Sequence, residues 1–300
     1  MPHTLFSDAD KINALPCWNG AIEISVLKGG LSNANYLVSD ACGKHVVRFG
    51  LNYPFHHVFR DRETMVAKAA HAAGLAPEVC YAADGVIVTQ FLGAKTFTEA
   101  DVRQNAARVG RLLKGFHNAL PRYVTGPGFM FWVFHVIRDY AATLKAKNTP
   151  YTDQLVSFQS QAEAMESVQV PLPIIFGHND LLPGNILDDG EKLWLIDFEY
   201  AGFNTAMFDL AGAASNAQMT PAQAETLMES YFHLLPDAKM QRAFAAMQCA
   251  SLLRETLWAM VSGLFLNAPG VDYQAYATEN RSRYEAALSD YQSVYGKISP

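Results

Sequence analysis

Short apolar runs, each bounded by Gly, Asn or Asp, recur through residues 22–88 and alternate in the way that half-buried strands do. Between the third and fourth runs, Met65, Val66, Ala69 and Ala70 fall at helical spacing, which predicts a helix over residues 59–73 that ends before Gly74 and Pro77. This part therefore predicts a small antiparallel sheet interrupted by one helix. The predicted strands are residues 24–27, 35–38, 45–49 and 86–89.

The pattern changes after residues 91–93, where helical spacing takes over. One later stretch departs from it, because residues 174–176, 185–187 and 193–196 are apolar, β-rich and separated by turn residues. The sequence thus predicts an α+β protein with two parts, residues 1–91 and a larger, mainly helical part over residues 92–300. The predicted helices of the second part are residues 102–119, 132–146, 151–168, 221–234, 239–265 and 273–291.

Composition narrows the class of protein without naming a function. With 300 residues, 50% of them hydrophobic and 17% charged, the chain has enough apolar surface for a folded core and is long enough for about two domains or lobes. A formal charge of −6 at pH 7 gives no basic footprint for a nucleic acid partner. The sequence leaves the oligomeric state open.

No segment of the sequence indicates secretion or membrane insertion. The amino terminus lacks a basic region followed by an apolar stretch, and the apolar stretches at 130–137 and 257–266 are well short of the roughly 20 residues that span a bilayer. We therefore expect a cytoplasmic protein. The cysteines form no C-x-x-C pair, which argues against zinc-ribbon and thioredoxin-type sites, and we expect them to be reduced core residues: Cys17, Cys42, Cys80 and Cys249.

The strongest chemical signal is the segment of residues 177–200, which places Asp180, Asn185 and Asp197 around short apolar strands. Phosphoryl transfer needs a carboxylate that accepts the proton of the attacking hydroxyl and oxygen ligands that hold Mg²⁺ on the nucleotide phosphates. Asp and Asn most often only shape turns, but three of them at this spacing favour a phosphotransferase site. We expect His178 to be a buried residue that fixes the Asp180 turn rather than a base.

The amino-terminal part offers groups for phosphate binding. Residues 27–36 contain a Gly-Gly-Leu-Ser-Asn string. Glycines such as Gly30 let the backbone N–H groups approach phosphates, together with the side chains of Ser32 and Asn33. Such a string is also typical of a plain hairpin turn. Arg48 lies inside an apolar strand, where a cation needs a carboxylate or phosphate partner unless the strand is an exposed edge.

These motifs resemble a known family. Residues 177–187 resemble the catalytic loop of protein-kinase-like small-molecule kinases, and residues 196–200, with Asn204 and Asp209 after them, resemble the choline/ethanolamine kinase family of the aminoglycoside phosphotransferase superfamily. The resemblance implies a two-lobed kinase fold, with Asp180 as catalytic base. By the same resemblance Asn185 and Asp197 would be metal ligands, and Asp209 would hydrogen-bond the backbone of the catalytic loop.

The resemblance also extends to the nucleotide side. Arg48 takes the position of the strand lysine of protein kinases, and Glu63 on the predicted helix would be its partner. The 29–33 string resembles the phosphate loop of choline kinases. Gln90 and Leu92 fall where the hinge of the family binds adenine through its backbone.

For the acceptor, recognition of an onium group requires aromatic faces, worth about 0.5–2 kcal/mol, and carboxylates. Glu199 and Tyr200 follow Asp197 directly, and Trp258 matches the second of two tryptophans, three apart, in choline kinases. Glu255 stands where that family has the first tryptophan. Its carboxylate can bind a cation or form a salt bridge to Arg254. Trp258 is as readily a core residue of an amphipathic helix.

We therefore expect a kinase that uses ATP and Mg²⁺ to phosphorylate the hydroxyl of choline, ethanolamine or a similar amino alcohol. Thiamine, an aminoglycoside or a sugar remains open as the acceptor, because such enzymes share the catalytic loop. A nucleotide-binding pseudokinase scaffold is the alternative outside enzymes, and it is disfavoured because every catalytic position is filled.

Overall fold

The amino-terminal part of the chain forms one five-stranded antiparallel sheet in the computed structural model, which describes residues 7–27, 34–268 and 270–297. Counted along the chain, its strands lie side by side in the order first, second, third, fifth, fourth. One face of the sheet carries Val38, Val47 and Val88, one from each of three strands. A short helix, α1 (Asp8–Asn13), packs Ile12 against them. The expected antiparallel sheet is confirmed. Its strands are β1 (Glu23–Leu27), β2 (Ala34–Asp40), β3 (Gly43–Phe49), β4 (Val79–Ala83) and β5 (Val86–Gln90).

One helix, α2 (Arg60–Ala72), interrupts this sheet between β3 and β4, where the sequence predicts it. Its buried face consists of Val66, Ala67, Ala69 and Ala70, which belong to the same hydrophobic core as the helices that follow. Small alanine side chains on that face let the helix lie close to its neighbours, and Glu63 is buried beside them.

The carboxy-terminal part is mainly helical, and its longest helix is buried on nearly every side. Apolar residues occur all around that helix, as is typical of a helix enclosed by others. The helix expected over residues 102–119 is divided at Asn105, whose side-chain amide bonds the Asp101 carbonyl at 2.9 Å. The helices are α3 (Glu99–Gln104), α4 (Ala106–Ala119), α5 (Val133–Ala146), α6 (Thr152–Ser167), α7 (Ala206–Asn216), α8 (Pro221–Phe232), α9 (Ala238–Phe265) and α10 (Tyr273–Tyr295).

Two small sheets lie within this helical part and carry the segment that the sequence singles out. Residues 91–94 connect β5 to the first of these strands, so the two parts of the chain meet there. One sheet has the order β6-β8-β9 and the other pairs β7 with β10. The strands are β6 (Lys95–Thr96), β7 (Ile174–Gly177), β8 (Ile186–Asp188), β9 (Leu193–Leu195) and β10 (Gly202–Thr205).

The two-lobed α+β architecture is as expected, but some expectations are wrong in detail. Cys42 and Cys80 are exposed, so only part of the cysteine set lies in a core. The strands β4, β6 and β10 and the helices α1 and α7 have no counterpart in the predicted elements, since they are short or buried throughout and lack a clear periodicity. Within the described ranges, no helix is both long and apolar enough to cross a membrane.

Candidate active site

A cavity of about 560 Å³ is lined by residues from both parts of the chain. Every described residue that the sequence analysis assigns to a catalytic, metal-binding, nucleotide-binding or acceptor-binding role lines it. Gly30, Ser32 and Asn33 lie outside the described residues. The assigned residues that line the cavity are Arg48, Glu63, Gln90, Leu92, Asp180, Asn185, Asp197, Glu199, Tyr200, Glu255 and Trp258.

The backbone turn that presents Asp180 is held by the carboxylate of Asp209. Asp209 lies in the first turn of α7, and its two oxygens accept hydrogen bonds from the backbone N–H groups of His178 and Asn179, each at 2.7 Å. A third bond, also 2.7 Å, joins it to Nε2 of His117. Burial alone would raise the pKa of Asp209, but the His117 contact and the backbone donors hold the pKa below its ordinary value. Asp209 therefore stays ionised and fixes the turn.

Asn179 occupies the tightest point of this turn, with a left-handed backbone at φ 63°. Its side-chain amide donates to the carbonyls of Tyr200 and Gly202, and its oxygen accepts from Asn204 at 2.9 Å. A Cβ atom on Gly177 would lie 2.8 Å from that oxygen, so the turn needs glycine there. These bonds tie the Asp180 turn to the segment that follows Asp197.

His178 is fully buried, and its ring bonds define its protonation state. Nε2 lies 2.9 Å from the Ile196 carbonyl and must donate, whereas Nδ1 accepts from the backbone N–H of Asp180 at 3.3 Å. One donating and one accepting nitrogen describe a neutral imidazole, in keeping with a pKa lowered by burial. The ring thus links the turn after β7 to the segment after β9 and presents no free nitrogen to a substrate.

Asp180 and Asn185 are joined through the backbone of the turn. Nδ2 of Asn185 donates to the Asp180 carbonyl at 2.9 Å, which directs the amide oxygen to the other side. The Asp180 side chain is half-buried, and burial raises its pKa well above the ordinary value. Arg254 opposes that rise, while Glu255 and Asp197 add to it. The Asp180 carboxylate therefore lies in a buried and strongly charged environment, and its assignment as the catalytic base stays a prediction.

Asp197 and the strand cation Arg48 form an ion pair across the cavity. Arg48 donates from Nη1 to Oδ1 of Asp197 at 2.6 Å, and its Nη2 contacts Glu63 of α2. Asp197 has a left-handed backbone at φ 68°. Burial acts to raise its pKa, but the charge and hydrogen bond of Arg48 keep the pKa below the ordinary value. The carboxylate is therefore available as an anionic ligand.

A second cation, Arg60 at the start of α2, holds two carboxylates. Its Nη1 lies 2.6 Å from Glu63 and 2.9 Å from Glu199. Glu199 is 7% exposed, and burial and the nearby charge of Asp197 raise its pKa against the opposing effect of Arg48 and Arg60. Glu199 lines the cavity, but its charge is engaged by α2, so its assignment to the acceptor stays a prediction.

The connection between the two parts of the chain lines one end of the cavity. The backbone N–H of Gln90 bonds the Glu78 carbonyl and that of Phe91 bonds the Lys44 carbonyl, each at 2.9 Å. Leu92 is half-buried at the cavity wall, and among the described residues its N–H has no hydrogen-bond partner. The backbone of Leu92 is thus open to a ligand.

Aromatic side chains line the opposite end. Trp258 donates from Nε1 to the Tyr200 hydroxyl at 2.8 Å, and one face of its indole stacks on His56 with ring centres 5.2 Å apart. Tyr276 meets the indole edge-on at 5.9 Å. Trp258 is therefore both a core residue and part of the cavity wall, so the two interpretations of it are compatible.

Glu255 contributes a carboxylate to the same end. Its Oε2 lies 2.8 Å from Nη1 of Arg254, and its Oε1 accepts from the Tyr276 hydroxyl at 2.9 Å. The salt bridge weighed in the sequence analysis is thus present, and Glu255 lines the cavity as well.

Sequence reasoning missed several residues of the site. Asn179 sits inside the recognised segment and its left-handed position could have been suspected, since Asn favours that conformation. His117, Arg60 and Tyr276 act through partners between 21 and 139 residues away, and no local pattern marks them.

The donor set is compatible with Mg²⁺. The described residues contain no cluster of three or more His, Cys, Asp or Glu that could hold a metal by itself. Mg²⁺ usually binds through one or two carboxylates with waters and substrate phosphates, so Asp197 and the amide oxygen of Asn185 suffice as protein ligands.

Comparisons with known proteins agree with the fold. The model of the choline/ethanolamine kinase family matches residues 24–245. A probable ethanolamine kinase of Arabidopsis thaliana is 28% identical over 235 residues, which cover 67% of this chain and 61% of that protein. Protein LicA of Haemophilus influenzae is 29% identical over 213 residues, 68% of this chain and again 61% of the relative. The chain thus spans less than two thirds of either relative.

Solved structures share the architecture. A choline/ethanolamine kinase family protein from Mesorhizobium loti superimposes with a TM-score of 0.75 at 27% identity, covering 95% of this chain and 97% of that one. LicA in complex with AMP has the same fold, with a TM-score of 0.70 at 22% identity over 94% of this chain and 96% of the other. The expected kinase-like fold is confirmed.

Proposed function

Because this chain belongs to the choline/ethanolamine kinase family, we propose that it transfers the γ-phosphate of ATP to the hydroxyl of a small amino alcohol such as ethanolamine or choline. The observation that carries the proposal is the convergence of Asp180, Asn185 and Asp197 on one cavity with a strand arginine at one end and an aromatic wall with a carboxylate at the other.

The nucleotide is assigned to the end formed by residues 1–91 and the connection after β5. The N–H of Leu92 and the carbonyl of Gln90 would bind adenine, and Arg48, held by Glu63, would face the phosphates. The string with Gly30, Ser32 and Asn33, which lies outside the described residues, is assigned to the phosphates from its sequence alone. A related LicA structure that contains AMP supports a nucleotide in this fold.

Mg²⁺ would be held by Asp197 and Asn185, where it would neutralise charge on the phosphates. Arg48 occupies one oxygen of Asp197, so the protein itself supplies a positive charge beside the metal position. His178 and Asp209 would act on these ligands only by fixing the backbone that carries them.

The acceptor is assigned to the end formed by residues 92–300. Its cationic group would lie against Trp258 and Tyr200 with Glu255, and Glu199 at the border of the two lobes. Asp180 would accept the hydroxyl proton. Its raised pKa makes it a stronger base than an ordinary aspartate, and most of the rate would come from positioning and charge stabilisation.

A panel of acceptors tests the proposal. ADP release would be measured with ethanolamine, choline, thiamine, an aminoglycoside and a sugar, with Mg²⁺ and ATP in excess. We expect ethanolamine or choline to give turnover. If another compound of the panel is preferred, the proposed acceptor is wrong but the kinase assignment stands. If none of the compounds is turned over, the proposed activity is contradicted.

The variant Asp197→Ala tests the proposal by loss of activity. It removes a cavity carboxylate that packs no core, and Arg48 keeps Glu63 as an acidic partner, so the fold should remain while kcat falls by about 10²-fold or more. Circular dichroism and thermal unfolding would check the fold. Asp189→Ala, which changes an exposed aspartate in the β8–β9 turn, is the matched control and should keep the parent rate.

A further inference from the structure

Glu255 presents a carboxylate to the acceptor end of the cavity. It lies in α9 and lines the cavity, and 19% of its side chain is exposed. The aromatic residues beside it are more deeply buried, since Trp258 is 8% exposed and Tyr200 is 4% exposed. A ligand that enters this end can therefore reach the carboxylate more readily than the face of either ring.

The two rings have little free surface for a cation because the protein already covers part of each. His56 stacks on one face of Trp258, and Tyr276 contacts the same indole at a steep angle. The guanidinium of Arg254 stands over the ring of Tyr200, 4.5 Å from its centre. Recognition of a quaternary ammonium group relies on several aromatic faces around it. Here at most one face of each ring is left for a ligand.

The carboxylate of Glu255 keeps part of its hydrogen-bonding capacity. Its Oε2 accepts from Arg254 at 2.8 Å, and its Oε1 accepts from the hydroxyl of Tyr276 at 2.9 Å. An ionised carboxylate can accept about four hydrogen bonds, and the described residues supply no further donor. About two acceptor positions therefore remain, and a protonated primary amine has N–H groups to fill them.

The charge of Arg254 decides which cations gain from Glu255. The guanidinium and the carboxylate form a close ion pair, so their charges largely cancel at longer range. The attraction that remains is the short, charge-assisted hydrogen bond from an N–H group to a carboxylate oxygen. A quaternary ammonium group has no N–H, and its methyl groups hold the nitrogen away from the oxygen. Such a group gains little from this pair.

We propose that Glu255 is the specificity-determining residue of the acceptor end and selects alcohols whose ammonium group carries N–H donors, so that ethanolamine is preferred over choline. The ammonium group donates to Glu255 while the hydroxyl of the same molecule lies toward Asp180. The inference rests on the proposed function for the reaction itself, but the selection among amines is measurable by binding alone.

A series of four acceptors tests this selection. Ethanolamine, N-methylethanolamine, N,N-dimethylethanolamine and choline share one alcohol and lose one N–H donor at each step. We would measure kcat/KM for each with ATP and Mg²⁺ in excess, and dissociation constants by calorimetry on the full chain. The variants are Glu255→Gln, which keeps the shape and loses the charge, and Glu255→Asp, which keeps the charge and withdraws the carboxylate. Glu279→Gln, which changes an exposed glutamate of α10, is the control.

In the parent, kcat/KM should be at least roughly tenfold higher for ethanolamine than for choline, with most of the difference in KM. In both Glu255 variants this ratio should fall by about fivefold or more, because a charge-assisted hydrogen bond is lost, and it should persist in Glu279→Gln. Steric exclusion of the methyl groups would instead leave the ratio unchanged in Glu255→Gln, which has the shape of the parent. The proposal is overturned if the parent does not favour ethanolamine, or if a folded Glu255 variant retains the ratio of the parent.

The two hypotheses fail separately. Turnover of choline that equals or exceeds that of ethanolamine would overturn the selection and support the kinase activity. Tighter binding of ethanolamine that depends on Glu255, without turnover of any alcohol, would support the selection and contradict the kinase activity. Should neither variant fold, the parent still decides: values that fall from ethanolamine to choline support the selection, and equal or rising values overturn it.

Discussion

At the scale of single residues, the buried charged groups of this protein differ in how many of their atoms have a hydrogen-bond or oppositely charged partner. Asp209 receives three hydrogen bonds, and Arg48 lies between two carboxylates. These groups serve the architecture of the site, since removing one partner would leave the other buried and uncompensated. Arg254 has one acidic partner, and its Nε and Nη2 are buried without a hydrogen-bond partner among the described residues.

His56 leads to a prediction on pH. It is 2% exposed, stacks on Trp258 and lies between the hydroxyls of Tyr140 and Ser262. Burial, with the charges of Arg254 and His57, lowers its pKa from 6.5 to about 3. In the unfolded chain the imidazole binds a proton below its ordinary pKa, and in the native state it does not until about pH 3, so stability is lost as the pH falls.

Between pH 6.5 and 5 this linkage should cost about 2 kcal/mol of unfolding free energy. Urea unfolding at pH 7 and pH 5 would measure it. In His56→Gln the corresponding part of the pH dependence should disappear, whereas His71→Gln, which changes an exposed histidine, should retain it. Equal slopes in the parent and His56→Gln would refute the buried, neutral state of His56.

Residue identities in the site could be predicted where they follow a local motif. Asp180, Asn185 and Asp197 lie within 18 residues and are marked by the strands between them. The bond between Arg60 and Glu199 joins positions 139 apart and depends on how α2 docks, which no local pattern encodes. The same holds for the buried guanidinium of Arg254, because the sequence offers its pairing with Glu255 as one possibility but does not indicate that Nε and Nη2 lack a partner among the described residues.

At the scale of elements, α4 and α8 lead to a prediction on packing. A Cβ atom at Gly110 would lie 2.6 Å from the Leu227 carbonyl oxygen and 3.0 Å from Cβ of Ser230. Gly110→Ala should therefore push the two helices apart and lower the unfolding free energy by about 1–3 kcal/mol. Gly115→Ala, on the same helix in open space, should instead raise it by about 0.5–1 kcal/mol.

Chemical denaturation of both variants would measure these opposite changes. A stable Gly110→Ala protein would show that α8 is free to shift, contrary to the close approach in the structure. Gly115→Ala checks that the effect comes from the contact and not from alanine in the helix.

Elements were predictable where one face is apolar and the other polar. The helices α2 and α5 were recognised close to their bounds for that reason, and α9 was recognised from the length of its helical run although it is buried on nearly every side. In α7 every residue from Ala206 to Ser215 is buried, so there is no contrast between faces. Strand β10 has only four residues and gains its hydrogen bonds from β7, far away in sequence. Tertiary packing, and not local preference, creates such elements.

At the scale of the whole molecule, ion pairs join the two lobes across the cavity. Arg48 reaches Asp197, and Arg60 reaches Glu199. A change in residue pattern near residues 91–93 was enough to predict two lobes from the sequence. Their mutual placement was not predictable, because it depends on these pairs and on the shared core.

Ligand binding should stabilise this two-lobed arrangement as a unit. If Mg²⁺-ATP binds only the folded protein, a concentration of about 100 times its Kd should add about 2.7 kcal/mol to the unfolding free energy. Thermal or urea unfolding with and without the nucleotide would measure the gain. This gain in unfolding free energy should be smaller when EDTA removes the metal, and smaller in Asp197→Ala. An equal gain under both changes would contradict Asp197 as a metal ligand.

The position of Trp258 has a practical consequence. The four tryptophans of the chain all lie among the described residues, and Trp258 alone is in the wall of the cavity. Trp18, Trp132 and Trp194 stand elsewhere, so their emission should be insensitive to the acceptor. The unmodified protein thus carries its own optical reporter: filling of the acceptor end should change the tryptophan fluorescence, and Trp258→Phe should abolish the change.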